Sequence, residues 1–357
     1  MAMLLLSNSR GRSQWFGISL SVLLFAVVFG VRYGVGTDYF GYLYYYKSTQ
    51  ASLSEFNDYE AGFNFLINIL AKNDAHFSWF FGTIAFLQLF LICFSLRYNK
   101  KIIAYMIFVF MMACIWLSFS NGLRQELAFC FFIVAVSCLS TKRRWLYFLF
   151  VLLAYLMHKS AIILIVLYPL FIWKKEWFVD IKKQLLVLCI AVILMNFSLV
   201  NSMVGLLDDI IIGLGYEEYL KDKYLEKFES TVTIGVGFYV ILIINIILIS
   251  QSRNVKEQYR ETWFPYAYNL YYVGVLWRYV FISSQLLQRI NYYMYGFDFI
   301  IGAFTLAYLR YRRRTLFFVL AALYILLFAG YMSGARENHS MFYFFWQEQE
   351  YKQFISR

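Results

Sequence analysis

Residues 77–101 read FSWFFGTIAFLQLFLICFSLRYNKK, a long apolar run without a charge that is followed by a short basic segment. The apolar part, Phe77–Leu96, has about the 20 residues that a helix needs to cross the hydrocarbon core of a bilayer. Basic residues beyond the end of such a run are typical of the cytoplasmic side of a membrane. This stretch therefore predicts a transmembrane helix and its orientation.

The composition extends this interpretation to the whole chain. Of 357 residues, 62% are hydrophobic and only 15% are charged, and the mean hydropathy is +0.60, which excludes an ordinary soluble domain. The net charge of +11 occurs as short basic runs between apolar segments, so it indicates membrane topology and not a nucleic-acid partner. The five cysteines lie inside apolar stretches without metal-ligand spacing, and we expect no disulfide framework, metal or cofactor.

Apolar stretches of roughly the required length recur about eleven times, so we predict an all-α, polytopic integral membrane protein that forms a single transmembrane domain over residues 1–357. The predicted spans are Trp15–Val31, Phe77–Leu96, Ile102–Leu117, Arg124–Leu139, Trp145–Met157, Ser160–Trp173, Leu185–Leu199, Ile234–Ser250, Trp263–Ile282, Ile290–Tyr308 and Leu316–Met332. If the amino terminus is cytoplasmic, the basic runs all fall on the inner side, which predicts an N-in, C-out topology.

Two long segments then face outward, at residues 32–76 and 200–233, and the tail at 333–357 follows on the same side. Glu60–Leu70 and Asp208–Phe228 each carry apolar residues at helical spacing beside polar ones. We therefore predict amphipathic interfacial helices in both loops, the second of them as a lid.

Four side chains that are costly near lipid fall at the outer ends of spans: Arg124, His158, Arg278 and Arg289. Together they would form a cationic pocket that opens outward and suits a pyrophosphate, because guanidinium groups bind phosphate oxygens in pairs. The ordinary alternative for Arg124 is snorkelling to the interface, and for His158 a structural role in a turn.

The first outer loop adds two carboxylates. Asp38 lies between small residues and a tyrosine-rich run, and Glu60 opens the predicted interfacial helix. Either carboxylate could act as a general base, while the simpler alternative for Glu60 is a helix cap that suits the positive end of the helix dipole.

Several separated motifs resemble the Wzy-type polysaccharide polymerases, and more closely their EpsG-like branch. The motifs are Gly36-x-Asp38-Tyr39-x-x-Tyr42, Glu60-x-Gly62-Phe63, Arg124-Gln125-x-x-Ala128, His158-Lys159-Ser160-Ala161, and Arg289 followed by Tyr292-Tyr293. The glutamate motif lacks its usual proline and has Ala61-Gly62 there. Arg278 matches no motif of the family and is inferred from its depth in a span.

The resemblance implies a GT-C-like enzyme of the bacterial cytoplasmic (inner) membrane. It implies that a glycan on undecaprenyl pyrophosphate is transferred, without a metal, onto another lipid-linked repeat unit at the outer, periplasmic face, as in O-antigen or exopolysaccharide synthesis. Glu60, Asp38 and His158 would be catalytic; Arg124, Arg278, Arg289, Tyr292 and Tyr39 would bind substrate. The expected partners are the lipid-linked donor and acceptor, the bilayer and a chain-length regulator protein.

Three other functions share much of this pattern. A lipid-linked glycan flippase would carry its charges near the middle of the bilayer, opening to both faces. A membrane acyltransferase would use His158 as its base, with an acyl donor engaged from the inner side. An outer-face O-antigen ligase differs from a polymerase only in its acceptor.

Overall fold

The computed structural model describes residues 12–52, 59–141, 143–173, 176–195, 235–282, 285–335 and 341–355. This part of the chain is almost entirely helical, which confirms the all-α prediction. The chain divides into two compact units. Unit 1 comprises Met1–Cys138, Arg143–Ala161 and Tyr324–Arg357, and unit 2 comprises Leu139–Lys142 and Ile162–Leu323.

Unit 1 contains a series of mostly apolar helices. They are α1 (Arg12–Gly30), α2 (Tyr39–Gln50), α3 (Ala61–Ala71), α4 (Phe77–Ser95), α5 (Lys100–Met112), α6 (Ile115–Asn121), α7 (Leu123–Cys138) and α8 (Trp145–Met157). A single turn of 3-10 helix, Lys159–Ile162, follows α8.

The remaining helices begin with α9 (Ile163–Leu167) and a π-helical turn at Tyr168–Ile172, and continue with α10 (Ile181–Leu194), α11 (Val236–Gln258), α12 (Phe264–Val280), α13 (Gln285–Tyr295), α14 (Asp298–Arg312) and α15 (Arg314–Ser333). Near the carboxyl terminus, strand β2 (Tyr343–Phe344) leads through a 3-10 turn at Phe345–Gln347 into α16 (Glu348–Ile355). β2 pairs antiparallel with β1 (Arg32–Tyr33), so the tail is joined to the start of the predicted first outer loop within unit 1.

Small residues let α1 and α4 approach closely. A Cβ atom on Gly30 would lie 2.9 Å from the Ser78 carbonyl oxygen, and one on Gly82 would lie 3.2 Å from the Ala26 carbonyl oxygen. In lipid, where apolar side chains gain little by leaving the solvent, close backbone contact of this kind is a main source of helix association.

Three of the described helices are long and apolar enough to cross a membrane: α4, α11 and α15. The pair α5 and α6 adds a fourth if it is counted as one bent span. These helices show that the chain is a membrane protein. The count of about eleven spans and the N-in, C-out topology stay predictions.

Several predicted spans are interrupted, each for a local reason. Ile102–Leu117 breaks at Cys114, whose φ of 54° is left-handed, and α5 and α6 meet there at 74°. Ser160–Trp173 passes through three helix types around Pro169, which lacks the N–H that an α-helix needs. Ile290–Tyr308 is divided between α13 and α14 at Gly296 and Phe297.

The segment predicted to be the first outer loop contains α2 and α3. In the described part of this segment, α3 covers nearly the same residues as the stretch predicted to be amphipathic, Glu60–Leu70. Its buried residues, Phe63, Ile67 and Ala71, lie on one face. The lid helix expected at residues 208–228 lies outside the described residues.

Candidate active site

Glu60 lies at the amino end of α3, but its side chain makes no cap bond to that helix. Its carboxylate instead accepts hydrogen bonds from two other elements. Oε2 lies 2.9 Å from Nη1 of Arg124, and Oε1 lies 3.0 Å from both Nδ1 of His158 and the backbone nitrogen of Lys159. Three segments far apart in sequence therefore meet at one carboxylate.

Arg124 is the second residue of α7, directly after the Gly122 turn that ends α6. Its side chain is 26% exposed, and the guanidinium carbon lies 4.3 Å from the centre of the Tyr59 ring. The guanidinium also donates a hydrogen bond to the Tyr42 hydroxyl. The Nε atom of Arg124 is buried and has no hydrogen-bond partner among the described residues.

His158 ends α8 in an extended conformation, with φ −157° and ψ 123°. This conformation turns the chain out of the helix and places the imidazole beside Glu60. Nδ1 faces the carboxylate, the side chain is 15% exposed, and Nε2 makes no hydrogen bond to any described residue. One ring nitrogen is thus oriented by a carboxylate while the other is available to a ligand.

The pKa of the Glu60 carboxyl reflects competing effects. Burial raises it, but the hydrogen bond from His158, the charge of Arg124 and the N–H of Lys159 together lower the pKa to about 2. Glu60 is therefore an anion at neutral pH, held by a cation and two N–H groups.

Asp38 and α2 are tied to the same region through Asn121, the last residue of α6. Oδ1 of Asn121 accepts from the Asp38 backbone nitrogen at 2.9 Å and from the Thr37 hydroxyl at 3.1 Å. Gly36 has a φ of +90°, and a Cβ on it would lie 2.8 Å from that same oxygen. The Asp38 side chain is exposed and makes no cap bond to α2, which leaves it accessible.

Tyr39 lies inside unit 1. Its side chain is fully buried, its hydroxyl donates to the Arg32 carbonyl oxygen at 3.1 Å, and its ring stacks on Phe81 at 4.7 Å. In this structure the side chain that was expected to contact substrate packs inside unit 1 instead.

Arg32 is a buried cation that none of the sequence motifs includes. Its guanidinium donates to the carbonyl oxygens of Phe29 at 2.8 Å and Ser120 at 2.9 Å and faces the Phe81 ring at 4.7 Å. It joins the end of α1 to the end of α6, next to the turn that leads to Arg124. Its position directly after the first predicted span, Trp15–Val31, is the signal that could have identified it.

Arg278, Arg289 and Tyr292 belong to unit 2. The guanidinium carbon of Arg278 lies 4.6 Å from the centre of the Tyr295 ring, and its carbonyl oxygen accepts from Gln288 Nε2 at 3.0 Å. On α13, Arg289 is exposed and Tyr292 is half-buried.

The helices that carry these residues are packed directly together. A Cβ on Gly274 of α12 would lie 2.3 Å from the Tyr295 nitrogen of α13, so only glycine fits there. The meeting of Arg278 and Arg289 with Arg124 in one pocket stays a prediction.

Among the described residues, no group of three or more His, Cys, Asp or Glu side chains is placed to hold a metal ion. The cationic groups at the Glu60 cluster are those of Arg124 and, when it is protonated, His158.

Comparison with known proteins agrees with the motifs. A sequence model described as the EpsG family matches residues 15–346, which includes every residue of the cluster. No curated protein and no solved structure matches the chain. The family is associated with glycosyltransferase-like polymerase activity in polysaccharide synthesis. The match confirms the predicted resemblance, and the chain is a helical membrane protein that belongs to the EpsG family.

Proposed function

We propose that this protein polymerises a bacterial O-antigen or exopolysaccharide by joining undecaprenyl-pyrophosphate-linked repeat units at the outer face of the cytoplasmic membrane. The observation that supports this proposal most directly is the cluster of Glu60, Arg124 and His158. It combines an anion-binding cation with an oriented imidazole, and both side chains remain partly accessible.

Arg124 has the properties required to stabilise a leaving diphosphate. Glu60 and Tyr42 hold its guanidinium in place, while its buried Nε has no hydrogen-bond partner among the described residues. A guanidinium that is already oriented needs no reorganisation when negative charge develops on the diphosphate, so the attraction favours the transition state over the ground state. Arg278 and Arg289 would add further donors to the same diphosphate.

His158 would act as the general base, with Glu60 as its positioning residue. A carboxyl with a pKa of about 2 is a weak proton acceptor, whereas a carboxylate on Nδ1 orients the imidazole and stabilises the imidazolium. The acceptor hydroxyl would give its proton to Nε2 and form a bond from its oxygen to the anomeric carbon of the donor. The bond from that carbon to the diphosphate oxygen would break, with the electron pair leaving on the diphosphate.

The sugars of the acceptor and of the donor need groups of a different kind. The exposed Asp38 carboxylate at the start of α2 can accept hydrogen bonds from sugar hydroxyls. Tyr292 on α13 offers a ring and a hydroxyl for the donor glycan. These two assignments extend the proposal from the diphosphate to the sugars of the acceptor and the donor.

The test is the length of the glycan made by cells that carry Arg124→Gln, Arg124→Lys or the control Arg312→Gln at an exposed position. Removal of one electrostatic donor to a transition state costs about 10²–10³-fold in rate. Arg124→Gln should therefore leave single repeat units on the lipid, Arg124→Lys should restore short chains, and the control should give wild-type chains at equal membrane abundance.

Single repeats that accumulate on the inner face would indicate a flippase, and wild-type chain lengths with Arg124→Gln would contradict the assignment. Repeat units that polymerise but are not transferred to their final acceptor would indicate a ligase.

The outer location is tested by labelling with a membrane-impermeant maleimide. Cys189 is the exposed cysteine among the five, so Cys189→Ser provides the background. Lys159→Cys, next to His158, should be labelled from the outside, and Lys101→Cys from the inside only. The reverse pattern would overturn the proposed topology.

A further inference from the structure

A groove of about 630 Å³ lies on the surface of unit 1 between α1 and α4, away from the Glu60 cluster. Its walls are mostly apolar, formed by Ile18, Val22, Leu23, Phe86, Phe90 and Phe94. Leu23 is 53% exposed and Phe90 is 44% exposed, so the groove opens outward from the protein.

One end of the groove carries two cations, Arg97 and Lys100. The guanidinium carbon of Arg97 lies 4.1 Å from the centre of the Phe94 ring and 4.5 Å from that of Tyr98, and the Lys100 ammonium lies 4.2 Å from the centre of the Trp15 ring. Within the described ranges, neither cation forms an ion pair with a carboxylate. Aromatic rings position both charges and leave them without an anionic partner.

We propose that this groove binds an anionic phospholipid, with the phosphodiester between Arg97 and Lys100 and an acyl chain along the apolar wall. Charge complementarity identifies the headgroup, because basic pockets between membrane helices select anionic lipids. The apolar wall identifies the chain, because a free phosphate would gain nothing from it and a zwitterionic lipid would gain little from the unpaired cations.

The proposed lipid site lies apart from the residues proposed for glycosyl transfer, none of which lines the groove. α1 ends at Gly30, just before Arg32, and α4 ends next to Arg97. A lipid between the two helices would therefore brace the helix pair that supports the outer loop, without touching the sugar substrates.

Binding is measured on the full chain, purified in detergent and delipidated, by native mass spectrometry. The probes are phosphatidylglycerol, phosphatidylcholine with the same acyl chains, and glycerol 3-phosphate as the headgroup alone. Each basic residue near a membrane surface contributes a several-fold preference for anionic lipid, so phosphatidylglycerol should bind about 10- to 30-fold more tightly than phosphatidylcholine. Glycerol 3-phosphate should not bind at the same concentrations.

The variant Arg97→Gln/Lys100→Gln should lose that preference and keep its affinity for phosphatidylcholine. The matched control is Lys101→Gln/Arg144→Gln, which removes the same charge at exposed positions that do not line the groove. Ser19→Trp, which fills the groove and leaves both cations in place, should weaken the binding of both lipids.

Equal affinity of the wild type for the two lipids, equal losses in the two double variants, or unchanged binding with Ser19→Trp would each overturn the proposal. Binding of glycerol 3-phosphate as tight as that of the lipid would also overturn it, by indicating a site for a free anion. None of these results bears on the length of the glycan, so this proposal and the polymerase assignment can fail separately.

Discussion

Unit 1 and unit 2 each contain a network of polar side chains among apolar helices, but the two networks differ in charge and in exposure. The unit 1 network joins Glu60 to Arg124 and His158, both partly exposed. The unit 2 network is neutral and buried, and it is centred on Asn245, which is 1% exposed.

The neutral network connects α10, α11 and α12. Asn245 on α11 accepts from the Tyr271 hydroxyl at 2.8 Å and donates to the Tyr279 hydroxyl at 3.1 Å. The Tyr268 hydroxyl donates to Gln184 Oε1 at 2.7 Å. These bonds satisfy polar groups inside a helical bundle and hold the helices in register.

The difference leads us to predict that the unit 2 network is structural and that the unit 1 network serves the proposed function. Burying a neutral, hydrogen-bonded network costs little desolvation free energy. Burying charged groups costs much more, so charged groups near lipid are kept mainly where they have a function. Glycosyl transfer, as proposed above, would give the accessible cation and imidazole of unit 1 such a use, while the buried Tyr268, Tyr271 and Tyr279 of unit 2 are hydrogen-bonded to the side chains of Gln184 and Asn245. Four substitutions test this contrast, and they are described from the largest expected effect to the smallest.

His158→Gln should reduce polymer formation by about 10²–10⁴-fold, the usual contribution of a general base. The unfolding temperature should stay close to that of the wild type, because the side chain is partly exposed and glutamine can still bond Glu60. Glycan length measures the effect on polymer formation, and thermal unfolding in detergent measures the effect on stability. The control is His76→Gln, at an exposed histidine directly before α4. Polymer at wild-type levels would remove His158 from the mechanism.

Glu60→Gln should reduce polymer formation by roughly 10²-fold, because the imidazole and guanidinium lose the anion that orients them. Asp74→Asn, at an exposed position of the same outer segment, is the matched control. If Glu60 positions both groups, the variant should also shift the pH dependence of the rate. A loss of rate with an unchanged pH profile would instead favour a purely structural role.

The same carboxylate predicts an acid-dependent stability. Its pKa is lowered to about 2 in the folded chain from an ordinary 4.5, so its stabilising effect is fully present above pH 4.5 and is lost as the pH falls towards 2. The loss should reach at most about 3 kcal/mol. Glu60→Gln should flatten this limb of a plot of unfolding temperature against pH, and Asp74→Asn should leave it in place.

Asn245→Leu should lower the free energy of unfolding by about 1–3 kcal/mol, because two buried tyrosine hydroxyls lose their partner. Polymer formation per folded molecule should stay close to the wild-type value. A double-mutant cycle with Tyr271→Phe measures the coupling, and Tyr239→Phe at an exposed position of α11 is the control. Lost activity in a fully folded Asn245→Leu protein would contradict the structural role of this network.

Tyr45→Phe should have the smallest effect. Its hydroxyl donates to Asn64 Oδ1 at 2.9 Å, which ties α2 to α3. Loss of one partly exposed hydrogen bond should lower the free energy of unfolding by about 1 kcal/mol and leave the glycan length unchanged. Thermal unfolding measures this loss of stability, and Tyr44→Phe, at the exposed neighbouring tyrosine, is the control. A shift in chain length would show that this contact also positions Glu60.

Much of the helical architecture could be predicted from the sequence. The limits of α8, Trp145–Met157, coincide with the prediction, and those of α4, α12 and α15 differ by a few residues at most. Apolar runs of this length have few alternatives to a helix, since backbone groups in lipid must bond within their own segment. The interruptions at Cys114 and Gly296 were missed because hydropathy does not report a left-handed residue or a break between two apolar helices.

The sequence singled out three residues that the structure brings together, and their roles in a site stay a prediction. Arg124 and His158 were chosen for their cost near lipid and Glu60 as a carboxylate at a predicted helix start, and their motifs agreed with the family that the comparison confirms. That one carboxylate binds both of the other groups could not be seen, nor could the roles of Tyr42, Tyr59 and Arg32. These depend on side-chain directions set by the Gly122 turn and by the extended backbone of His158.

The sequence by itself determined that this protein is a helical membrane protein of the EpsG family, because the length of its apolar runs and the order of its motifs are properties of the chain alone. Only the tertiary structure decided that Glu60 is the ionised partner of Arg124 and His158. A pKa of about 2 requires a cation and N–H donors within hydrogen-bond distance. Residues 60, 124 and 158 acquire those contacts only when α3, α7 and α8 pack together.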